Sequence, residues 1–424
     1  MKKAFLRIAL SFSVMLAVIA PVLAVSAQDD PVEIQVWLLT DDADFYENEL
    51  FPDFNAANPD IKAVYTGHST DGSKDLLRQV INTDAAPDVF FTYGGPGLFG
   101  FYVDTGGVQP LDDVYEEMGW DTRFGGPQLV AATWDGQKYA MPYRQRTMGL
   151  YYSKPLFEKA GITAEPTTYD ELIEVNAKLL DAGIVPLGMG GMQSWMPMRL
   201  LDSLFELKCG AEIHDALTSL EAKYTDEPCA LEAFQEFKRW ADDWMPDGFM
   251  GMDPESDVHL QLYTGQAAMM YEGDWVIGRF EEEGQNPDDF GFFYFPTGNE
   301  RVSWFGEQLL VSSTSQHKEA AYRFLDWVSS PETQAKYAGR FGGLQPTLDV
   351  PVPEGAPELT VFVNDLLQTK EGIYLPADQA LPLQVVTEGY WLAQDKVSVG
   401  EIEPEEAPAI VQTSIDRYIE NNPQ

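Results

Sequence analysis

Three short β-branched runs near the start of the chain restrict the fold more than any other feature. VEIQVWLL (32–39), KAVYTG (62–67) and DVFFTYGG (88–95) are separated by two amphipathic stretches. The first stretch opens on acids and places Phe45, Leu50, Phe51 and Phe54 at helical spacing; the second runs from Ser73 to Pro87. Strand, helix, strand, helix, strand at this spacing predicts a parallel sheet with helices on its faces. Ligands of such sheets lie beyond the carboxyl ends of the strands. The positions to watch are therefore 40–42, 68–70 and 92–95.

Farther along, residues 139–153 form a long extended run. TTYDELI follows, with Thr168 as N-cap and Glu171 three residues on, which predicts a capping box. VPLGMGG (185–191) reads as a buried strand of a second αβ unit. The region 195–250 reads as mostly helical, and AAMMYEG, DFGFFYFP and VSWFGEQLLVSS read as further strands. Two αβ lobes are expected, with crossings between them at 142–150 and 304–312.

Ahead of the first strand, Lys2, Lys3 and Arg7 precede an apolar run from Ile8 to Val25 and small residues at Val25 and Ala27. That pattern is an export signal cut after Ala27. Excluding it leaves about 400 residues, enough for two lobes. No cysteine lies near the cut, so a lipid anchor is not expected, and no later stretch is long and apolar enough to span a membrane. A soluble, monomeric protein in the periplasm or outside the cell is expected.

Charge and cysteine content narrow the function. The formal net charge is −41, and the leader holds three of the 27 basic residues and none of the 68 acids. A chain of this sign does not bind nucleic acid or anionic lipid by counterion release. In an oxidising compartment Cys209 and Cys229 can pair, closing a loop worth about 3 kcal/mol. The four histidines are scattered, so no metal site or other cofactor is expected.

The chain resembles the extracellular solute-binding protein family 1, the carbohydrate-binding subunits of ABC importers that are akin to maltodextrin-binding proteins. APDVFF (86–91), GQKYAMPYRQRTMGLYYSKPLFEKAGI (136–162), PTTYDELI, GQAAMMYEGDW (265–275), HKEAAYRFLDWVSSPETQAKYA and GGLQPT follow the family's order across the mature chain. Ser153 replaces a common Asn, and FGE (305–307) stands where the family has two glycines. The resemblance implies the type II periplasmic-binding-protein fold, each lobe a mixed, mostly parallel sheet flanked by helices. The N-terminal lobe would comprise 28–143 and 304–345, and the C-terminal lobe 144–303 and 346–424. Function would be capture of a sugar or oligosaccharide by hinge closure and delivery to permease subunits, with no catalysis.

Sugars present CH-rich faces and hydroxyl rims, so their sites need flat aromatic platforms and planar polar groups. The candidate ligand contacts are Trp37, Asp41, Asp42 and Tyr93 on the first lobe and Arg144, Arg146, Trp304 and Glu307 at the crossings. On the second lobe they are Gln193, Trp195, Asp274, Trp275 and Trp391. Each has a plainer role. Trp37, Trp275 and Trp391 can be core, and Asp41 or Asp42 can cap a helix. Arg144 and Arg146, two apart on an extended segment, share a face and can form an interlobe salt bridge with Glu307. If they meet ligand instead, a uronate or other anionic solute such as glycerol phosphate fits; the acids Asp41, Asp42, Asp274 and Glu307 would suit a polyamine. A secreted glycan-active enzyme is the remaining alternative, but no carboxylate pair, phosphate loop or nucleophile elbow marks one.

Overall fold

A computed structural model describes residues 30–422 except 96, 342, 343, 349 and 371. The expected leader and its cut site lie outside the described residues.

Nine strands form one continuous sheet: β1 (Val32–Leu39), β2 (Ile61–His68), β3 (Val89–Tyr93), β4 (Ala140–Ser153), β5 (Val185–Gly188), β6 (Ala267–Gly273), β7 (Phe290–Phe293), β8 (Arg301–Val311) and β9 (Gly372–Tyr374). The order is β2-β1-β3-β8-β4-β6-β5, with β9 added on β8 and β7 on β4. The first three strands are parallel, as the alternation in β1 and its helical connections require. The long strand β8 runs antiparallel to both β3 and β4, and β4 runs antiparallel to β6, so the sheet is mixed on both sides of the crossing.

Each long strand serves two cores. The distal end of β8 (Leu309, Val311) and the near end of β4 (Met141, Tyr143) pack with Ile34, Val36, Leu38, Phe45, Phe54 and Phe324 in the first lobe. Leu310 and Ala140, offset by one residue, point to the opposite face and join Leu77, Phe90, Phe99 and Tyr102. Past the crossing, Met148, Leu150, Tyr151 and Tyr152 of β4 enter the second core with Leu187, Met269, Phe280 and Tyr390. Because both faces are covered, all 14 residues of β4 are buried.

Local signals shape the connections. The Thr168 hydroxyl accepts from Glu171 N and the Glu171 carboxylate accepts from Thr168 N, completing the expected capping box. The second helix of the first lobe, Thr70–Val80, ends earlier than Pro87, because Thr83 turns back to donate from its N–H and hydroxyl to Val80 O. The helix Trp195–Thr218 breaks at Gly210, whose φ of 71° only glycine takes readily. Beside that break Cys209 is disulfide-bonded to Cys229, at the start of Pro228–Asp243, tying the two helices together. Among the described residues no helix is long and apolar enough to cross a membrane.

Candidate functional site

A cleft of about 1010 Å³ lies over the crossing strands, between the two lobes. Its floor is an ionic ladder. Arg144 Nη1 donates to Asp42 Oδ2 (2.7 Å) and lies 3.8 Å from Glu307 Oε2. Arg146 Nε donates to Glu307 Oε1 (2.9 Å), and its Nη1 donates to Asp274 Oδ2 (3.2 Å). Register explains the order, since Arg144 is the cross-strand partner of Glu307 and Arg146 stands opposite Phe305. Asp42 sits where β1 ends and Asp274 where β6 ends, so the ladder joins the first lobe to the second.

Burial and pairing set the charges. Burial raises the Asp42 carboxyl, but the Arg144 guanidinium beside it prevails and holds it below its ordinary value. Asp274 is pushed up to about 6 by burial, against the opposing pull of Arg146 and the Thr147 N–H. Thr147 N donates to Asp274 Oδ1 (3.0 Å) and Asp274 N donates back to Thr147 O (3.2 Å). Asp41, exposed at the mouth, is also raised, by burial of its carboxyl more than Arg279 lowers it.

A chain of aromatic rings crosses the hinge alongside the ladder. Tyr93 meets Phe305 at 5.8 Å, Phe305 meets Trp275 at 6.1 Å, and Trp275 meets Trp195 at 6.4 Å between ring centroids. Gly273 makes the Trp275 pose available: a Cβ there would come within 1.9 Å of the indole, which folds back over the backbone. That is why glycine precedes the Asp-Trp pair. Trp195 opens the long helix Trp195–Thr218, with its Nε1 donating to Gln193 Oε1 (3.2 Å). Trp391 opens the helix Trp391–Ser398 and donates Nε1 to Met198 Sδ (3.0 Å). All three tryptophans line the cleft and are half-buried.

The cleft thus gathers Asp41, Asp42, Tyr93, Arg144, Arg146, Gln193, Trp195, Asp274, Trp275, Glu307 and Trp391. Two expected contacts do not belong. Trp304 is 1% exposed and donates Nε1 to Gln145 Oε1 (3.2 Å) beneath the floor. It lies three positions from Glu307, and strand alternation sends side chains an odd number apart to opposite faces. Phe305, on the same face as Glu307, lines the cleft where Trp304 was expected. Trp37 likewise points away from Val36 and Leu38, meets the His68 ring at a tilt (centroids 4.5 Å apart) and packs with the cluster on the far face of the sheet.

Sequence reasoning missed three further groups in the lining. Arg199 Nη1 donates to Asp378 Oδ1 (2.9 Å), and the guanidinium carbon stands 5.5 Å over the Phe305 ring. Arg279, from the helix after Trp275, pairs with Glu255. Gln379 lines the wall near Trp391. Phe305 carried a sequence signal in its period-2 offset from Glu307, and Arg279 lies one helical turn past Trp275; Arg199 and Gln379 arrive from distant segments. Among the described residues no His, Cys, Asp or Glu cluster could hold a metal ion.

Comparison with known proteins identifies the family and the fold. The family model described as bacterial extracellular solute-binding protein matches residues 39–335. An uncharacterized ABC transporter extracellular-binding protein of Pyrococcus horikoshii is 23% identical over 321 residues, covering 74% of this chain and 71% of the relative. A probable sugar-binding periplasmic protein of Brucella melitensis is 26% identical over 254 residues, 59% of each chain. Among solved structures, a chitin oligosaccharide binding protein superposes with a TM-score of 0.82 at 24% identity, covering 92% of this chain and 99% of that one. The sugar-binding protein MalE of Xanthomonas citri superposes at 0.73 with 18% identity, covering 93% of this chain and 100% of its own. The fold is the two-lobe type II periplasmic-binding-protein fold.

Proposed function

The chain belongs to the family of bacterial extracellular solute-binding proteins, and from that premise we propose that its cleft captures a saccharide outside the cytoplasm and passes it to the permease of an ABC importer. The observation that carries the proposal is the second-lobe wall of three half-buried tryptophans, Trp195, Trp275 and Trp391, around one cleft. Half-buried indoles at a cleft are what a sugar's CH face needs, and Gln193 and Asp41 offer hydrogen bonds to its rim. The Brucella relative and the chitin oligosaccharide binder, both named for saccharide binding, favour the same solute class.

Capture works by closing the lobes, 28–143 with 304–345 against 144–303 with 346–424, about the two crossing strands. Closure needs the ligand to bind the closed form better than the open one. Stacking on one lobe combined with hydrogen bonds from the other supplies that difference. The protein acts as a monomer outside the cytoplasm, and it binds rather than transforms its solute.

A thermal-shift screen of the mature protein tests the reading, using linear neutral oligosaccharides, uronates, glycerol phosphate and spermidine. A shift with at least one saccharide, followed by a calorimetric Kd, is expected. A shift with spermidine and none with any carbohydrate would overturn it.

A further inference from the structure

We infer that the cleft selects uncharged glycans and turns away their uronic or phosphorylated counterparts. The inference rests on the saccharide reading above and extends it to the charge of the ligand. An anionic solute needs a guanidinium or ammonium with charge to spare, and the lining holds five arginines that look well suited to it. Each is already matched by an acid of the protein. Arg144 holds Asp42 at 2.7 Å, Arg146 holds Glu307 at 2.9 Å and Asp274 at 3.2 Å, and Arg199 holds Asp378 at 2.9 Å. Arg279 is paired with Glu255, and Arg340, at the rim, lies 3.5 Å from both Asp44 and Glu49. Lys74, the sixth cation of the lining, is engaged as well, with its ammonium 5.8 Å over the Tyr93 ring.

Burial makes these pairs hard to exchange. The side chains of Arg144, Arg146 and Arg199 are 6%, 7% and 5% exposed, and those of Glu307 and Asp274 are 10% and 1%. A ligand carboxylate or phosphate drawing on one of these arginines would strand a buried protein carboxylate without its countercharge, which is costly. Among the described residues, the charges of the lining without an ion pair have the wrong sign: Asp41, Glu281, Glu282 and Glu354 are exposed acids. Hydroxyl groups ask for none of this rearrangement, because a paired carboxylate keeps acceptor lone pairs free and the indoles need no charge.

Matched ligands test the idea. Calorimetry at 0.15 M salt would compare neutral xylo-, cello- and chito-oligosaccharides with aldouronic acids and oligogalacturonates of the same ring number, and spermidine would be run alongside. Uronic members are expected to bind at least about tenfold more weakly than their neutral partners. The variant D378N, which leaves Arg199 without its acid, should narrow that gap, and D42N should do the same through Arg144 if D378N does not fold. Uronic binding equal to or tighter than neutral binding in the unaltered protein overturns the inference while leaving the saccharide reading standing. Discrimination that neither variant alters overturns the pairing as its cause. Absence of binding by every saccharide removes both the inference and the reading beneath it.

Discussion

The floor of the cleft and its second-lobe wall are built from residues of the same two kinds, charged and aromatic, yet they are left in opposite states. On the floor Arg144, Arg146, Glu307 and Asp274 are buried and spent on each other. On the wall Trp195, Trp275 and Trp391 line the cleft and are each only half-buried. The contrast separates holding a hinge from holding a ligand. A group whose hydrogen-bonding and charge capacity is used within the protein shapes the site, and one with capacity left over is free to bind.

The sharpest way to break that contrast is Arg146→Met. It strands Glu307 and Asp274 without their shared countercharge, and the expected cost is about 3–5 kcal/mol of stability, read by urea unfolding. A loss below about 1 kcal/mol would mean that the floor is not held by the ladder. Trp275→Ala should do the reverse, weakening saccharide binding by about 2 kcal/mol or more with a smaller effect on the urea midpoint. Collapse of the fold with Trp275→Ala would move this indole from the wall into the core.

Two residues illustrate why one side of this contrast was easier to read than the other. Trp275 follows a buried strand and a glycine that the indole itself demands, so the local sequence announces a turn at a strand's end. Local patterns of this kind also placed β1–β3, the capping box and the long crossing at Ala140–Ser153. Trp304 looks as good a platform by composition, but its direction depends on which face of β8 meets the cleft, and alternation alone does not say which parity is inward. Arg199 and Asp378 are 179 positions apart, and their pairing is a product of tertiary packing that no window of sequence contains. Whether Arg144 and Arg146 are spent or available was open for the same reason.

The smallest expected effect concerns protonation on the floor. Asp274 has its carboxyl raised from an ordinary 3.8 to about 6, foremost by burial. The native state therefore holds this proton more tightly than the unfolded chain does. The associated stability is complete below about pH 4 and is lost as pH rises through about 6. Asp274→Asn, which cannot ionise, should gain thermal stability relative to the parent protein across that window. Paired melting curves at pH 4, 5, 6 and 7 measure the difference, and a flat difference would show that Asp274 stays ionised throughout.

The crossing strands also set an order in time. The first-lobe sheet is complete only when residues 307–311 of β8 reach β3, and the Arg123–Asp326 and Trp120–Asp326 contacts close over separations of 203 and 206 residues. Loops of that length make closure slow. As the chain emerges from the ribosome, its first 300 residues lack the strand that finishes their core. The first-lobe sheet stays unfinished until most of the polypeptide has been made. For a member of an extracellular family, that delay is useful: a chain threaded across a membrane has to arrive before it folds.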